Sequence, residues 1–160
     1  MSLEPFQKKL IQLYKDQELM MSNLYNKLAD KFPKYSAEFS RLAAEELEHA
    51  SWIDHLEQCI VNGKASFSEG KTRTYTITTM LNYTKGIIDA LDRNEIDLRK
   101  AVSLIVDSEK SLIEKEIFER FEGDSQEVEK ILRILDDTQK DHLARIEIFA
   151  AQVKSELESC

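Results

Sequence analysis

Apolar side chains recur every three or four residues along most of this chain, a spacing that places them on one face of a helix. Only 4 glycines and 2 prolines occur in 160 residues, so few tight turns can form. The pattern therefore predicts an all-α fold. The length suits one domain with a substantial core, over residues 1–160.

Four long helices are predicted from this spacing. The first covers roughly residues 3–31 and ends before Pro33, and the second covers about residues 35–61, where Asn62 and Gly63 favour a stop. Together they predict a helical hairpin with a tight corner. Their apolar stripes consist of Phe6, Leu10, Tyr14, Met21, Tyr25 and Leu28 on the first helix, and of Phe39, Leu42, Ala43, Ala50, Ile53, Leu56 and Ile60 on the second.

A long connection is predicted next, because residues 63–74 are rich in glycine, serine and threonine and lose the periodicity. Residues 75–94 begin with β-branched residues that suit a strand. The spacing of Ile77, Leu81, Ile88 and Leu91 also suits a short crossover helix, which we favour.

The second half of the chain predicts another hairpin. Asp92 with Glu95, and Asp124 with Glu127, have the spacing of capping boxes at helix starts, and Gly123 separates the two helices. Two hairpins joined by a long crossover that contains a short helix predict a four-helix bundle. The stripes here are Leu98, Val102, Ile105 and Leu112, then Val128, Leu132, Leu135, Ile146, Phe149, Val153 and Leu157.

Polar residues interrupt each stripe near its middle, which would bring three carboxylates, two imidazoles and an amide into one layer of the core. Burying an ionised carboxylate is strongly unfavourable unless a cation or hydrogen-bond donors compensate. The sequence therefore predicts a metal site in this layer. Its candidate residues are Glu18, Glu46, His49, Glu109, Gln139 and His142.

The order of these residues repeats in the two halves of the chain. Glu18 precedes Glu46, and Glu109 precedes Gln139, by about 30 residues, and a histidine follows three residues later each time. Residues three apart project from the same side of a helix, so a carboxylate and an imidazole can reach one ion. One glutamate from each of two helices and a Glu-x-x-His pair from each of two others form a carboxylate-bridged two-metal site.

With these residues the chain resembles the ferritin-like superfamily, and its rubrerythrin-like branch most closely. The similar segments are "DQELMMSNLYNKLAD", "RLAAEELEHASWIDHL", "VDSEKSLIEKEIFERF" and "LDDTQKDHLARI". The resemblance implies a ferritin-like four-helix bundle and a non-haem di-iron site. The implied ligands are Glu18, Glu46, His49, Glu109 and His142, with Gln139 as a weak one.

The resemblance also implies an activity, because the reduced di-iron centre of that branch reacts with peroxide or dioxygen. Its electrons come from a rubredoxin module or partner. Cys59 and Cys160 are too few for a rubredoxin-type iron site, so an external donor such as a rubredoxin-like protein is expected. Carboxylates and imidazoles also suit zinc or manganese. A homodimer is implied as well.

Two positions depart from the family pattern. Gln139 replaces a metal-bridging glutamate, and Glu116 stands two turns after Glu109, where the family often has an aromatic residue. Three glutamates oppose the four positive charges of two divalent ions, and a neutral amide bridges poorly, so at least one metal position should be weakened.

Two alternatives remain open. One is a ferritin-like bundle that binds a single ion for structure or storage, or no metal, without catalysis. The other is a helical scaffold or partner-binding module whose carboxylates are neutralised by protons or hydrogen bonds alone.

Charge and hydropathy exclude several classes of partner. The net charge of −8 and the pI of about 5.0 disfavour nucleic acid and anionic lipid surfaces. No apolar run approaches the length of a membrane span, and the first residues, "MSLEPFQKKL", lack the order of a signal peptide. A cytoplasmic protein is therefore expected.

Overall fold

The computed structural model of the protein describes residues 3–68, 74–114, 120–123 and 125–159, without the side chains of residues 112–114. Helices dominate these residues, which confirms the all-α class. The described α-helices are α1 (Pro5–Lys31), α2 (Ser36–Val61), α3 (Thr74–Asp92), α4 (Leu98–Glu114) and α5 (Gln126–Glu158). Glu116, Asp124, Cys160 and the side chain of Leu112 lie outside the described residues. None of the helices in these ranges has the length and apolar character needed to cross a membrane.

Helices α1 and α2 form the predicted hairpin and pack against each other more extensively than any other described pair. A 3-10 turn at Pro33–Tyr35 makes the corner, because proline cannot continue the hydrogen-bond ladder of α1. Gly63, whose φ of +72° favours glycine, ends α2, and the Lys64 amide bonds to the carbonyl of Cys59. The predicted bounds of both helices are correct within about two residues.

Helix α3 lies in the connection between the two hairpins and packs mainly on α1. The helical alternative is therefore confirmed over the strand, and the 19 residues of this helix cover nearly all of the segment predicted at 75–94. Its buried side chains recur at helical spacing, which explains why the β-branched start does not decide its structure. They are Ile77, Met80, Thr84, Ile87, Ile88 and Leu91.

The start of α4 differs from the prediction. Asp97 is the capping residue, because its side-chain oxygen accepts a hydrogen bond from the Lys100 amide at 2.8 Å. Asp92 instead lies at the end of α3, and Asn94 turns the chain with a φ of 56°. Helix α5 is similarly capped by Ser125, whose hydroxyl accepts from the Val128 amide.

A small antiparallel ribbon joins the segment that follows α2 to the segment that precedes α5. Strand β1 (Ser66–Phe67) pairs with β2 (Phe121–Glu122), and the rings of Phe67 and Phe121 lie 4.9 Å apart. A Cβ on Gly123 would lie only 2.6 Å from the Lys64 carbonyl oxygen, so the close approach requires glycine. The third of the four predicted long helices, which corresponds to α4, was expected to run until Gly123. That prediction is wrong at its C-terminal end, because Phe121 and Glu122 form a strand.

Two apolar clusters fill the interior and place a polar layer between them. Glu18 follows Tyr14 of one cluster and precedes Met21 of the other, and His142 lies between Leu135 and Ile146 in the same way. The predicted stripes are buried except at a few positions. Phe6 and Leu157 are exposed, and Leu81 and Leu132 are only partly buried.

Candidate metal centre

Five of the six predicted ligands meet in the polar layer between the two apolar clusters. Helices α1 and α4 contribute one glutamate each, α2 contributes a glutamate and a histidine, and α5 contributes a histidine. Each is a titratable group held away from water. Their exposed fractions are 2% for Glu18, 1% for Glu46, 4% for His49, 6% for Glu109 and 2% for His142.

The first group of candidate ligands joins α1 to α2. Nδ1 of His49 lies 3.2 Å from Oε2 of Glu46 and 3.5 Å from Oε2 of Glu18. Their candidate ligand atoms all lie within 4.8 Å of one another. Because Glu46 and His49 are three residues apart, one helical face presents both side chains to Glu18.

The second group joins α2 to α4 and α5. Nε2 of His142 lies 2.6 Å from Oε1 of Glu46 and 3.4 Å from Oε1 of Glu109. Glu46 therefore belongs to both groups and directs one carboxylate oxygen towards each histidine. The two imidazole rings lie 5.5 Å apart, centre to centre. Glu46 therefore offers one carboxylate oxygen to each of two adjacent groups of candidate ligands.

Two buried atoms of the second group are left without a hydrogen bond. Although Oε1 of Glu46 and Nε2 of His142 are close, the contact is too bent for a hydrogen bond, and neither atom has another hydrogen-bond partner among the residues that the structure describes. Leaving a buried polar group unpaired costs about 1–3 kcal/mol, and more for a charged group. A cation that accepts both atoms as ligands would remove this cost, so the donor set fits a metal.

The pKa values indicate where protons reside when no cation is bound. Burial raises the pKa of Glu18 to about 8, and the charge of Glu46 adds to this effect. Burial lowers the pKa of His49 and His142, but the carboxylates that lie close to each ring outweigh it. The pKa of His49 thereby rises to about 10 and that of His142 to about 11. Protons and metal ions therefore compete for the same atoms.

Tyr25 on α1 supports the second group. Its hydroxyl donates a 2.8 Å hydrogen bond to Oε1 of Glu109, and its ring meets the His142 ring edge to face at 6.2 Å. The side chain is completely buried. Burial and the charge of Glu109 raise the pKa of Tyr25 well above its usual range, so the phenol keeps its proton as a donor.

Glu45 is a functional candidate that sequence reasoning missed. Its Oε2 lies 2.6 Å from Nδ1 of His142 and accepts a 2.7 Å hydrogen bond from Nη2 of Arg145. The stripe pattern could not select it, because it stands beside Glu46 and off the apolar face. Its role depends on contacts with α5, about 100 residues away.

Gln139 is the predicted ligand that remains without an assigned role. It lies on α5 one turn before His142, is partly buried, and forms no hydrogen bond with the residues that the structure describes. Glu116 falls outside those residues. The expectation that Gln139 weakens a metal position therefore stays a prediction.

A cavity of about 210 Å³ lies between α2 and α5 beside His49. Its walls are polar and include the exposed carboxylates of Glu48 and Asp141. His49 is the candidate ligand that borders this cavity. The lining residues are Glu45, Glu48, His49, Thr138, Asp141 and Arg145.

Comparisons of the chain with protein-family models, curated proteins and solved structures found no match. Function is therefore inferred from the chemistry of the site rather than from a relative. Three carboxylates and two imidazoles in a dry layer can bind divalent cations through oxygen and nitrogen.

Proposed function

We propose that this protein is a non-haem metal protein whose centre holds two divalent cations that share Glu46, and that the iron-loaded centre acts as an oxidoreductase. One observation carries the proposal: Glu46 turns one carboxylate oxygen towards His49 and the other towards His142. A structural ion pair between one glutamate and one histidine would need only one of these contacts.

The donor set supports iron as the resident metal. Carboxylates and imidazoles without thiolate suit iron, and they also accept manganese or zinc. A bound pair of iron ions would supply electrons for the reduction of peroxide or dioxygen, with an external donor such as a rubredoxin-like protein restoring them. Glu18 and His49 would hold one ion, Glu109 and His142 the other, and Glu46 both.

The chain's own residues would exclude water and fix the ligands. The apolar clusters on either side of the polar layer keep solvent away, which strengthens every electrostatic interaction inside it. Tyr25 holds a proton on its phenolic oxygen beside Oε1 of Glu109 and restricts that carboxylate to one orientation. The cavity beside His49 would admit a small oxidant.

The packing of the helices is compatible with a ferritin-like four-helix bundle. Helix α1 packs on α2, α4 on α5, and α2 on α5, and α3 lies in the long connection between the two hairpins. These neighbours support the proposed topology of two hairpins joined by one crossover. A homodimer and a cytoplasmic location stay predictions of the sequence.

The alternative is a bundle that holds one ion for structure or storage, or none, without turnover. It is favoured by Gln139, a neutral amide where a second bridging carboxylate would balance charge. Protons on Glu18, His49 and His142 already neutralise part of the cluster without any metal.

Anaerobic titration with Fe(II) separates these functions. The wild-type protein should bind two ions per chain, the second more weakly than the first, whereas Glu46→Gln should bind at most one. Glu129→Gln is the control, because Glu129 is exposed on α5 and does not line the cavity beside His49. Equal binding by wild-type protein and Glu46→Gln would contradict a shared carboxylate.

A second measurement tests the activity. The wild-type protein is loaded with Fe(II) and mixed with hydrogen peroxide in the absence of oxygen. Oxidation of the bound Fe(II) is followed by absorbance. Oxidation of the bound iron, with loss of the response in Glu46→Gln, supports an oxidoreductase. Reduced iron that persists in peroxide would favour the storage or structural alternative.

A further inference from the structure

The two histidines of the centre turn different nitrogens towards the carboxylates. His49 uses Nδ1, which faces Glu18 and Glu46. His142 uses Nε2, which faces Glu46 and Glu109. Although both follow the same three-residue spacing on their helices, they are therefore not equivalent as ligands.

The Nδ1 atom of His142 contacts Glu45, which explains why this histidine turns Nε2 towards Glu46 and Glu109. Nδ1 of His142 lies 2.6 Å from Oε2 of Glu45, and an ionised carboxylate can only accept a hydrogen bond. The contact therefore requires a hydrogen on Nδ1, which leaves the lone pair of a neutral imidazole on Nε2. That atom faces Glu46 and Glu109.

The Glu45 carboxylate is itself held in place. Nη2 of Arg145 donates to the same Oε2 at 2.7 Å, and Nη1 of Arg41 lies 4.0 Å from Oε1. The Glu45 side chain is 21% exposed, so it forms the outer edge of the centre rather than part of its dry interior. Its position suits a residue that orients a ligand without contacting the metal.

His49 lacks an equivalent support. In the part of the chain that the structure describes, its Nε2 has no hydrogen-bond partner, and the residue borders the cavity between α2 and α5. A change at Glu45 should therefore affect one metal position and leave the other intact.

We propose, resting on the proposed metal centre, that Glu45 is a positioning residue that fixes the Nδ1–H tautomer of His142 and increases the basicity of its Nε2. A carboxylate behind a metal-bound imidazole typically changes metal affinity 10- to 100-fold. Here it would compensate in part for the neutral amide of Gln139, one turn away on α5. Arg145 keeps the carboxylate aligned with the imidazole.

Cobalt(II) titration of the whole protein tests this role, with binding followed by visible absorbance. Glu45→Gln removes the charge but little volume and should weaken one of two bound ions about 10-fold or more. Glu45→Asp keeps a carboxylate and should have an intermediate affinity for cobalt. This variant also tests the proposal if Glu45→Gln folds poorly. Glu129→Gln, at an exposed position of α5 that does not line the cavity beside His49, should bind as the wild type does.

Proton NMR of the cobalt-loaded protein gives a readout that a merely structural role would not change. The wild type should show a strongly shifted, slowly exchanging imidazole N–H from His142, and this resonance should move or exchange faster in Glu45→Gln. If Glu45→Gln binds both cobalt ions as tightly as the wild type does, the positioning role of Glu45 is wrong, but the metal centre is not contradicted. A wild-type protein that binds no cobalt would overturn the metal centre as well.

Discussion

Oε1 of Glu46 lies 2.6 Å from Nε2 of His142, yet the two buried atoms form no hydrogen bond. The residues come from α2 and α5, so the tertiary packing of the helices creates the contact. A polar pair that is close but misaligned in a dry layer is unfavourable unless a third species satisfies both atoms. In the proposed centre this species is a cation.

Metal binding should release protons. At pH 7 the metal-free centre holds protons on Glu18, His49 and His142, because their pKa values are raised to about 8, 10 and 11. Metal ligands must be deprotonated, so up to three protons should leave for each fully loaded centre, and affinity should increase with pH. Calorimetric titration with Zn(II) in two buffers of different ionisation enthalpy measures this number. Release of less than one proton would contradict the competition between protons and metal.

The metal-free protein should become less stable as the pH increases. A raised pKa of His49 and His142 favours folding fully below pH 6.5, and this contribution is lost as the pH rises through 10 and 11. Glu18 has the same sign, because its pKa rises from 4.5 to about 8. All three effects therefore reduce stability between pH 6 and pH 9.

Thermal denaturation with a chelator, followed by circular dichroism at pH 6 and pH 9, measures this loss. Each kcal/mol lost should lower the Tm by about 2–4 °C for a chain of this size. His142→Gln should have a shallower pH dependence, and the exposed His55→Gln should behave as the wild type. A Tm that is higher at pH 9 than at pH 6 would refute the assigned protonation.

Replacing Tyr25 with phenylalanine should destabilise the protein. The variant keeps the ring beside His142 but leaves Oε1 of Glu109 without its donor. Hydrogen bonds to charged groups contribute about 1.5–3 kcal/mol, so we expect a loss of this size in the free energy of unfolding. Tyr83→Phe is the matched control because Tyr83 is exposed, and its effect should stay within about 0.5 kcal/mol. Urea denaturation with a chelator compares the two; equal stabilities would show that the hydrogen bond contributes little.

The sequence predicted the helices where local signals were strong. Pro33 and Gly63 end α1 and α2 through backbone restrictions that act without tertiary context. Asp92 was predicted to start a helix, but Asp97 caps it instead, because the chain first turns at Asn94, whose left-handed conformation no local pattern indicated. The β1–β2 ribbon escaped prediction because each strand has two residues and the partners are distant in sequence.

The centre was predicted to the extent that it follows helical periodicity. Glu18, Glu46 and Glu109 were found because each interrupts an apolar stripe, and burial of a carboxylate there required an explanation. Glu45 was missed because it interrupts no stripe, and its contact with His142 arises from the packing of α2 against α5. Periodicity also could not indicate which nitrogen each histidine presents, since rotation of the ring is set by its neighbours.

Replacing Gln139 with glutamate should strengthen the weaker metal position. A carboxylate one turn before His142 would add a fourth negative charge against the four positive charges of two divalent ions, which should hold the pair together. After growth with iron, the wild-type protein should retain about one iron per chain, and Gln139→Glu should retain close to two, as measured by elemental analysis. Asp137→Asn is a useful control for surface charge, because Asp137 is exposed on the same helix, does not line the cavity beside His49 and should leave the iron content unchanged. Two irons per chain in the wild-type protein would show that the amide at position 139 does not weaken the centre.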